Sequence, residues 1–64
     1  MRFEEALKWM REGKKVRQKC YPQFIYWIEE DKIFEIHRGW MDEAKYFEPF
    51  EILAEDWEVV DEGL

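Results

Sequence analysis

Serine and threonine are both missing from the 64 residues, and cysteine and histidine occur once each. The first absence removes the two commonest hydroxyl nucleophiles. The lone Cys20 excludes an internal disulfide. One cysteine and one histidine also fall short of the roughly four ligands of a zinc site, so no metal is expected. Three glycines leave no glycine-rich loop to cradle a phosphate. No apolar run is long enough to span a bilayer, and no signal-peptide core is present. Cations are outnumbered sixteen to ten, giving a net charge of −6 and a sequence pI near 4.7. That balance argues against duplex nucleic acid, whose binding requires phosphate neutralisation, and against an anionic membrane surface. It does not exclude a small anionic ligand, which needs only a few local donors. A free thiol suits a reducing cytoplasm.

Aromatic rings, by contrast, are abundant. Four tryptophans, three tyrosines and five phenylalanines make up 19% of the chain. Each buried ring removes roughly 150–250 Å² from water. Sixty-four residues make one domain, spanning 1–64, with little stability to spare and no disulfide to supplement it. Twelve rings exceed what so small a core hides, so a homo-oligomer, a dimer or tetramer, is expected, with some rings at subunit contacts or in a pocket.

The periodicity predicts an α+β fold: an N-terminal helix packed on a small antiparallel sheet of three to five strands, with a short helical turn before the last strand. Phe3, Ala6, Leu7 and Met10 recur at i, i+3, i+4 and i+7 over residues 3–12. Glu4 and Glu5 favour the positive end of that helix, and Gly13 suits its left-handed terminator. A basic strand follows at about 15–19, and Pro22 restricts Tyr21 to extended geometry. The run Phe24-Ile25-Tyr26-Trp27-Ile28 and the segment 33–37 make a hairpin around the polar turn 29–32. Residues 38–50 read as a loop with a short strand near 45–47. Pro49 opens a short helix over 50–55. Residues 57–60 form the last strand, and 61–64 a frayed tail. The helix stripe is expected to face Val16, Tyr26, Ile28, Phe34, Ile36, Leu53 and Val59, with hairpin register deciding whether Ile25 and Trp27 face in instead.

The two ends carry a paired signal: Phe3-Glu4-Glu5-Ala6-Leu7-Lys8-Trp9-Met10-Arg11-Glu12-Gly13-Lys14-Lys15-Val16-Arg17, and Ile52-Leu53-Ala54-Glu55-Asp56-Trp57-Glu58-Val59-Val60. Together they resemble the Thoeris anti-defence 2-like domain family, small phage and prophage proteins. The resemblance covers about 1–21 and 50–60; the middle is shorter than in many members. It implies non-enzymatic capture of a cyclic ADP-ribose-type or cyclic nucleotide immune signal, by an oligomeric sponge in the bacterial host cytoplasm. The ligand would be held without turnover, and no cofactor is implied.

Five residues are candidates for ligand contact. Arg17 sits in the cluster Lys14, Lys15, Arg17, Lys19 and is able to fork onto phosphate oxygens. The same cluster also suits an edge strand protected by charge against aggregation. Tyr21 lies where the family commonly places a tryptophan, and a ring there would stack on a base; it equally suits packing over the sheet edge. Arg38 and Trp40 combine a possible phosphate donor with a stacking wall, or with an interface anchor. Asp56 would accept from ribose hydroxyls, or cap the turn before Trp57. A Cys20–His37 nucleophile pair is conceivable but has no supporting spacing. Two other functions fit the composition: an acidic interaction module that blocks a host protein directly, and an accessory domain without a ligand.

Overall fold

The computed structural model describes residues 1–60; the expected tail at 61–64 lies outside them. Helix α1 (Phe3–Arg11) leads into strands β1 (Lys15–Gln18), β2 (Tyr21–Glu29), β3 (Lys32–His37) and β4 (Trp40–Glu43), then α2 (Pro49–Ile52) and β5 (Trp57–Val60). The strands form one antiparallel sheet in the order β4-β3-β2-β1-β5. The α+β expectation holds, including the helical turn before the last strand.

Local chemistry explains most element boundaries. Glu4 and Glu5 occupy the first turn of α1, and Lys8 and Arg11 the last, as the helix dipole favours. Gly13 ends the helix at φ +89°, while the Lys14 amide reaches back to the Trp9 carbonyl at 3.0 Å and the Gly13 amide to Met10 at 3.0 Å. These bonds satisfy carbonyls that the helix end leaves unpaired. Pro49 stands at the start of α2, where its missing N–H costs nothing.

The buried core is Ala6, Met10, Val16, Tyr26 and Trp57. Helix α1 lies on β1, β2 and β5. Residues 44–48 then cross the same face, and Phe47 sits between Phe3 (ring centroids 5.0 Å apart) and Tyr26 (5.1 Å). A nine-residue helix is only about 14 Å long, so α1 covers chiefly β1, β2 and β5 and leaves part of this face to the segments that follow β4.

Three expectations are corrected. The first concerns the core. Val16, Tyr26, Ile28 and Val59 pack on the helix side, but Phe34 and Ile36 do not, and Leu53 stays outside the core. Glu30 and Asp31 form a two-residue turn with φ of 51° and 63°, as in a type I′ hairpin. That even-length turn pairs Ile28 with Ile33 and Tyr26 with Glu35. Only an odd-length connection brings Ile28 and Phe34 to one face. Phe34 and Ile36 therefore join Trp27 and Ile25 on the reverse face, where Trp27 stacks on Phe34 at 6.1 Å and the Lys15 ammonium lies 5.2 Å from the Trp27 ring centroid. Leu53, just past α2, is 77% exposed.

The second correction is a strand placed too late. The segment 45–47 is irregular, and the strand falls at Trp40–Glu43 instead, joined to β3 by the tight turn Arg38-Gly39 with φ of 53° and 83°. The third concerns Pro22, which lies inside β2 rather than before it. Its missing N–H is tolerated because β1 pairs with Arg17 opposite Ile25 and then Gln18 opposite Tyr21, skipping 22–24, while β3 pairing starts only at Phe24.

Candidate functional site

The helix-side face, between β2 and α2, holds a cleft of about 230 Å³, lined by Gln18, Tyr21, Phe24, Tyr26, Glu35, Phe50 and Glu51. Strand alternation brings the residues there. Phe24, Tyr26 and Glu35 share a face by register, and the skipped residues 22–24 let Tyr21 pair with Gln18 on that same face. Helix α2 supplies the opposite wall, where Phe50 meets Tyr21 edge-on at 5.9 Å.

Glu51 fixes that wall. Its Oε1 accepts from the Glu48 amide at 2.9 Å, and its Oε2 accepts from the Tyr26 hydroxyl at 2.9 Å. Its backbone carbonyl accepts from the buried Trp57 indole N–H at 2.9 Å. A four-residue helix has almost no stability of its own, so the bonds from Tyr26 and Trp57 hold α2 against the core. Burial first, then the Glu51 hydrogen bond and charge, then Glu35, raise the Tyr26 phenol far above the ordinary tyrosine range. The phenol therefore stays protonated as a donor.

Set against family models, curated proteins and solved structures, the chain matches none.

The five sequence candidates divide between two sides of the sheet. Tyr21 lines the cleft and is 44% exposed. Trp40 faces the same side: it pairs with His37, which pairs with Phe24, so the three occupy one cross-strand row. His37 stacks on Phe24 at 4.0 Å, and Trp40, 81% exposed, starts about 10 Å (two strand spacings) from Phe24. Arg38 is exposed in the turn beside that row.

Arg17 lies on the reverse face, level with Ile25, and its Nε holds the Glu58 carboxylate at 2.7 Å. The alternative reading of the basic cluster as an edge strand is overturned. Strand β1 runs between β2 and β5, and the edges are β4 and β5.

Asp56 does not cap the turn before Trp57. It spans to the β1–β2 turn, where Oδ1 accepts from the Gln18 side chain at 3.2 Å and Oδ2 from the Cys20 amide at 3.0 Å. Hydrogen bonds from the Cys20 thiol, from Gln18 and from the Cys20 backbone pull its carboxyl down to about 2. The same contact, followed by the Asp56 charge, raises the Cys20 thiol, which disfavours the thiolate a nucleophile needs. His37 is engaged with Phe24. Among the described residues, no group of three or more His, Cys, Asp or Glu side chains is placed to hold a metal ion, and no helix is long and apolar enough to cross a membrane.

Phe24, Tyr26, Glu35, Phe50, Glu51 and Gln18 are cleft residues that sequence reading missed. Tyr26 and Glu35 were within reach: they are equidistant from the polar turn, and any even turn pairs them. Phe50 and Glu51 carry no such signal, because nothing local shows that α2 folds back beside β2.

Proposed function

We propose that this protein is a non-enzymatic binder that sequesters a nucleotide immune signal, of the cyclic ADP-ribose or cyclic oligonucleotide type, between copies of itself in the bacterial cytoplasm. The observation that carries the reading is the position of Tyr21 in an aromatic cleft with Phe24 and Phe50, on the same face as the exposed Trp40. Rings so placed offer stacking surface for a base, worth about 1–3 kcal/mol per base. Glu35 and Glu51 are acceptors for base amino groups or ribose hydroxyls. The resemblance of both chain ends to the Thoeris anti-defence 2-like domains supports the same reading.

The dimensions favour a shared site. A cleft of about 230 Å³ falls below the roughly 300–1,000 Å³ of pockets that enclose a whole small molecule. One chain holds a base and its ribose; a neighbouring copy encloses the remainder. The cations for phosphate are not in the cleft, so Arg38 in the β3–β4 turn, or Arg17 from a neighbour, meets the phosphates. The reverse face gives copies a reason to associate, because Ile25, Trp27, Phe34 and Ile36 are only half-buried there and Met41 is 63% exposed.

Thermal melts with a panel of cyclic ADP-ribose isomers and cyclic di- and trinucleotides test the proposal. A ligand at a hundred times its Kd stabilises the fold by about 2.7 kcal/mol. Tyr21→Ala and Phe50→Ala should abolish that shift with the unliganded melt nearly unchanged. No shift across the panel sinks the proposal.

A second reading has one observation in its favour: no lysine or arginine lines the cleft among the described residues. An acidic module that blocks a host protein would need none. Specific capture of one host protein together with a silent nucleotide panel would favour it.

A further inference from the structure

Charge and ring placement in the cleft are sharper than a general base-stacking site requires. Tyr26 and Glu35 stand directly opposite each other on β2 and β3, and Asp42 on β4 is opposite Glu35, so two carboxylates follow the phenol across one row of the face. Glu51 enters the same space from α2, with its Oε2 on the Tyr26 hydroxyl at 2.9 Å. Around these acceptors stand the rings of Tyr21, Phe24 and Phe50. Ring faces carry negative quadrupole potential, and two carboxylates add to it. The four rings and two carboxylates therefore share one sign, and among the described residues the lining contains no cation to offset them.

We infer that the cleft is a receptor for an organic cation, a guanidinium or alkylammonium head that lies between the Tyr21, Phe24 and Phe50 rings and donates to Glu35 and Glu51. The inference rests on the cleft being the binding site, but not on the rest of the guest being a nucleotide. It narrows the guest: the group that reaches the floor is positively charged, as in an N-alkylated base, an amino-alkyl group or the side chain of arginine, and any phosphate stays outside. Glu51 retains acceptor capacity, since each of its oxygens takes one hydrogen bond in the resting fold. The size agrees, because the cleft is too small for a whole drug-sized ligand and suits a head group.

The test compares cations with neutral molecules of the same shape. The full chain is titrated at constant ionic strength with methylguanidinium against methylurea, and with choline against 3,3-dimethylbutanol, while amide and ring NMR shifts are followed. The expected result is saturable shifts at Tyr21, Phe24, Glu35 and Phe50 for the two cations, with affinity about tenfold or more above the neutral partners. Glu35→Gln, which keeps the size of the side chain, should weaken the cations about tenfold and leave the neutral partners unchanged. Phe50→Ala, at an exposed ring, should weaken the cations too, and Arg17→Ala on the reverse face should change nothing. Equal affinity for charged and neutral partners, shifts that map elsewhere, or full cation affinity in a folded Glu35→Gln variant would overturn the inference. A nucleotide panel run alongside separates the two proposals. Cation binding with a silent panel sinks only the nucleotide reading, and nucleotide binding without cation binding sinks only this one.

Discussion

Replacing Trp57 by phenylalanine tests how the core holds the cleft wall. Trp57 is 1% exposed, and its indole N–H donates to the Glu51 carbonyl at 2.9 Å. Its ring meets Phe3 at 5.4 Å, Tyr26 at 5.7 Å and Phe47 at 6.3 Å. Trp57→Phe keeps an apolar ring but deletes the donor, which costs about 1–1.5 kcal/mol. The smaller ring also leaves roughly 40 Å³ unfilled, and at about 24 cal/mol per Å³ this adds about 1 kcal/mol. The sum is about 2–2.5 kcal/mol, against a total of roughly 3–10 kcal/mol for a domain this size. The thermal midpoint should fall by about 10–20 °C. Far-UV circular dichroism in urea reads the loss directly, and Trp40→Phe is the control. Trp40 is 81% exposed, so its replacement should stay within about 0.5 kcal/mol. The cleft should loosen as well, because Glu51 loses one of the two bonds that tie α2 to the core. A loss below about 0.5 kcal/mol for Trp57→Phe, or equal losses for both variants, would refute the reasoning.

Three further outcomes follow from the same geometry. The Asp56 carboxyl ionises near 2 in the fold, below the 3.8 of the free group, so its stabilising contribution is complete above about pH 4 and is lost as pH falls toward 2; urea midpoints between pH 5 and 2 should drop for the parent and flatten for Asp56→Asn. The Tyr26 phenol is raised, so its contribution is complete below about pH 10 and declines above it as unfolded chains ionise; the parent should lose stability at alkaline pH with a slope that Tyr26→Phe reduces, and an ultraviolet titration of the folded protein should show Tyr26 silent in the ordinary range. Gly13 has φ +89° with nothing within 4 Å of an added Cβ, so Gly13→Ala should cost about 1–2 kcal/mol from backbone strain alone; an unchanged denaturation midpoint would contradict the role of that residue as the helix terminator.

The cleft was only half legible beforehand. Tyr21 is a candidate through the family resemblance and Trp40 as a ring beside Arg38 and Gly39, and both lie on the cleft side. Arg17 stood out by chemistry, yet β1 turns it to the reverse face and Glu58, from the far end of the chain, engages it. Asp56 was seen as a ligand or a local cap, but its partners Gln18 and Cys20 lie nearly forty residues away in sequence. In each case the side chain was visible and its partner was not. The β3–β4 hairpin was missed although Gly39 marks its turn, since Trp40 and Met41 on an exposed edge strand show no alternation of apolar and polar residues.

What the chain settles by itself is local: the α1 stripe and its stop at Gly13, the β2–β3 hairpin, the start of α2 at Pro49, and the α+β class that these add up to. These depend on backbone preferences and short-range periodicity, which neighbours a few residues apart decide. Tertiary structure alone decided which face each strand shows, which carboxylates surround Tyr26, and that α2 closes a cleft. Facing depends on turn parity, and one residue more or less in the Glu30-Asp31 turn would invert the whole of β3. The cleft depends on bonds among Glu51, Tyr26 and Trp57, which meet only after the sheet has assembled.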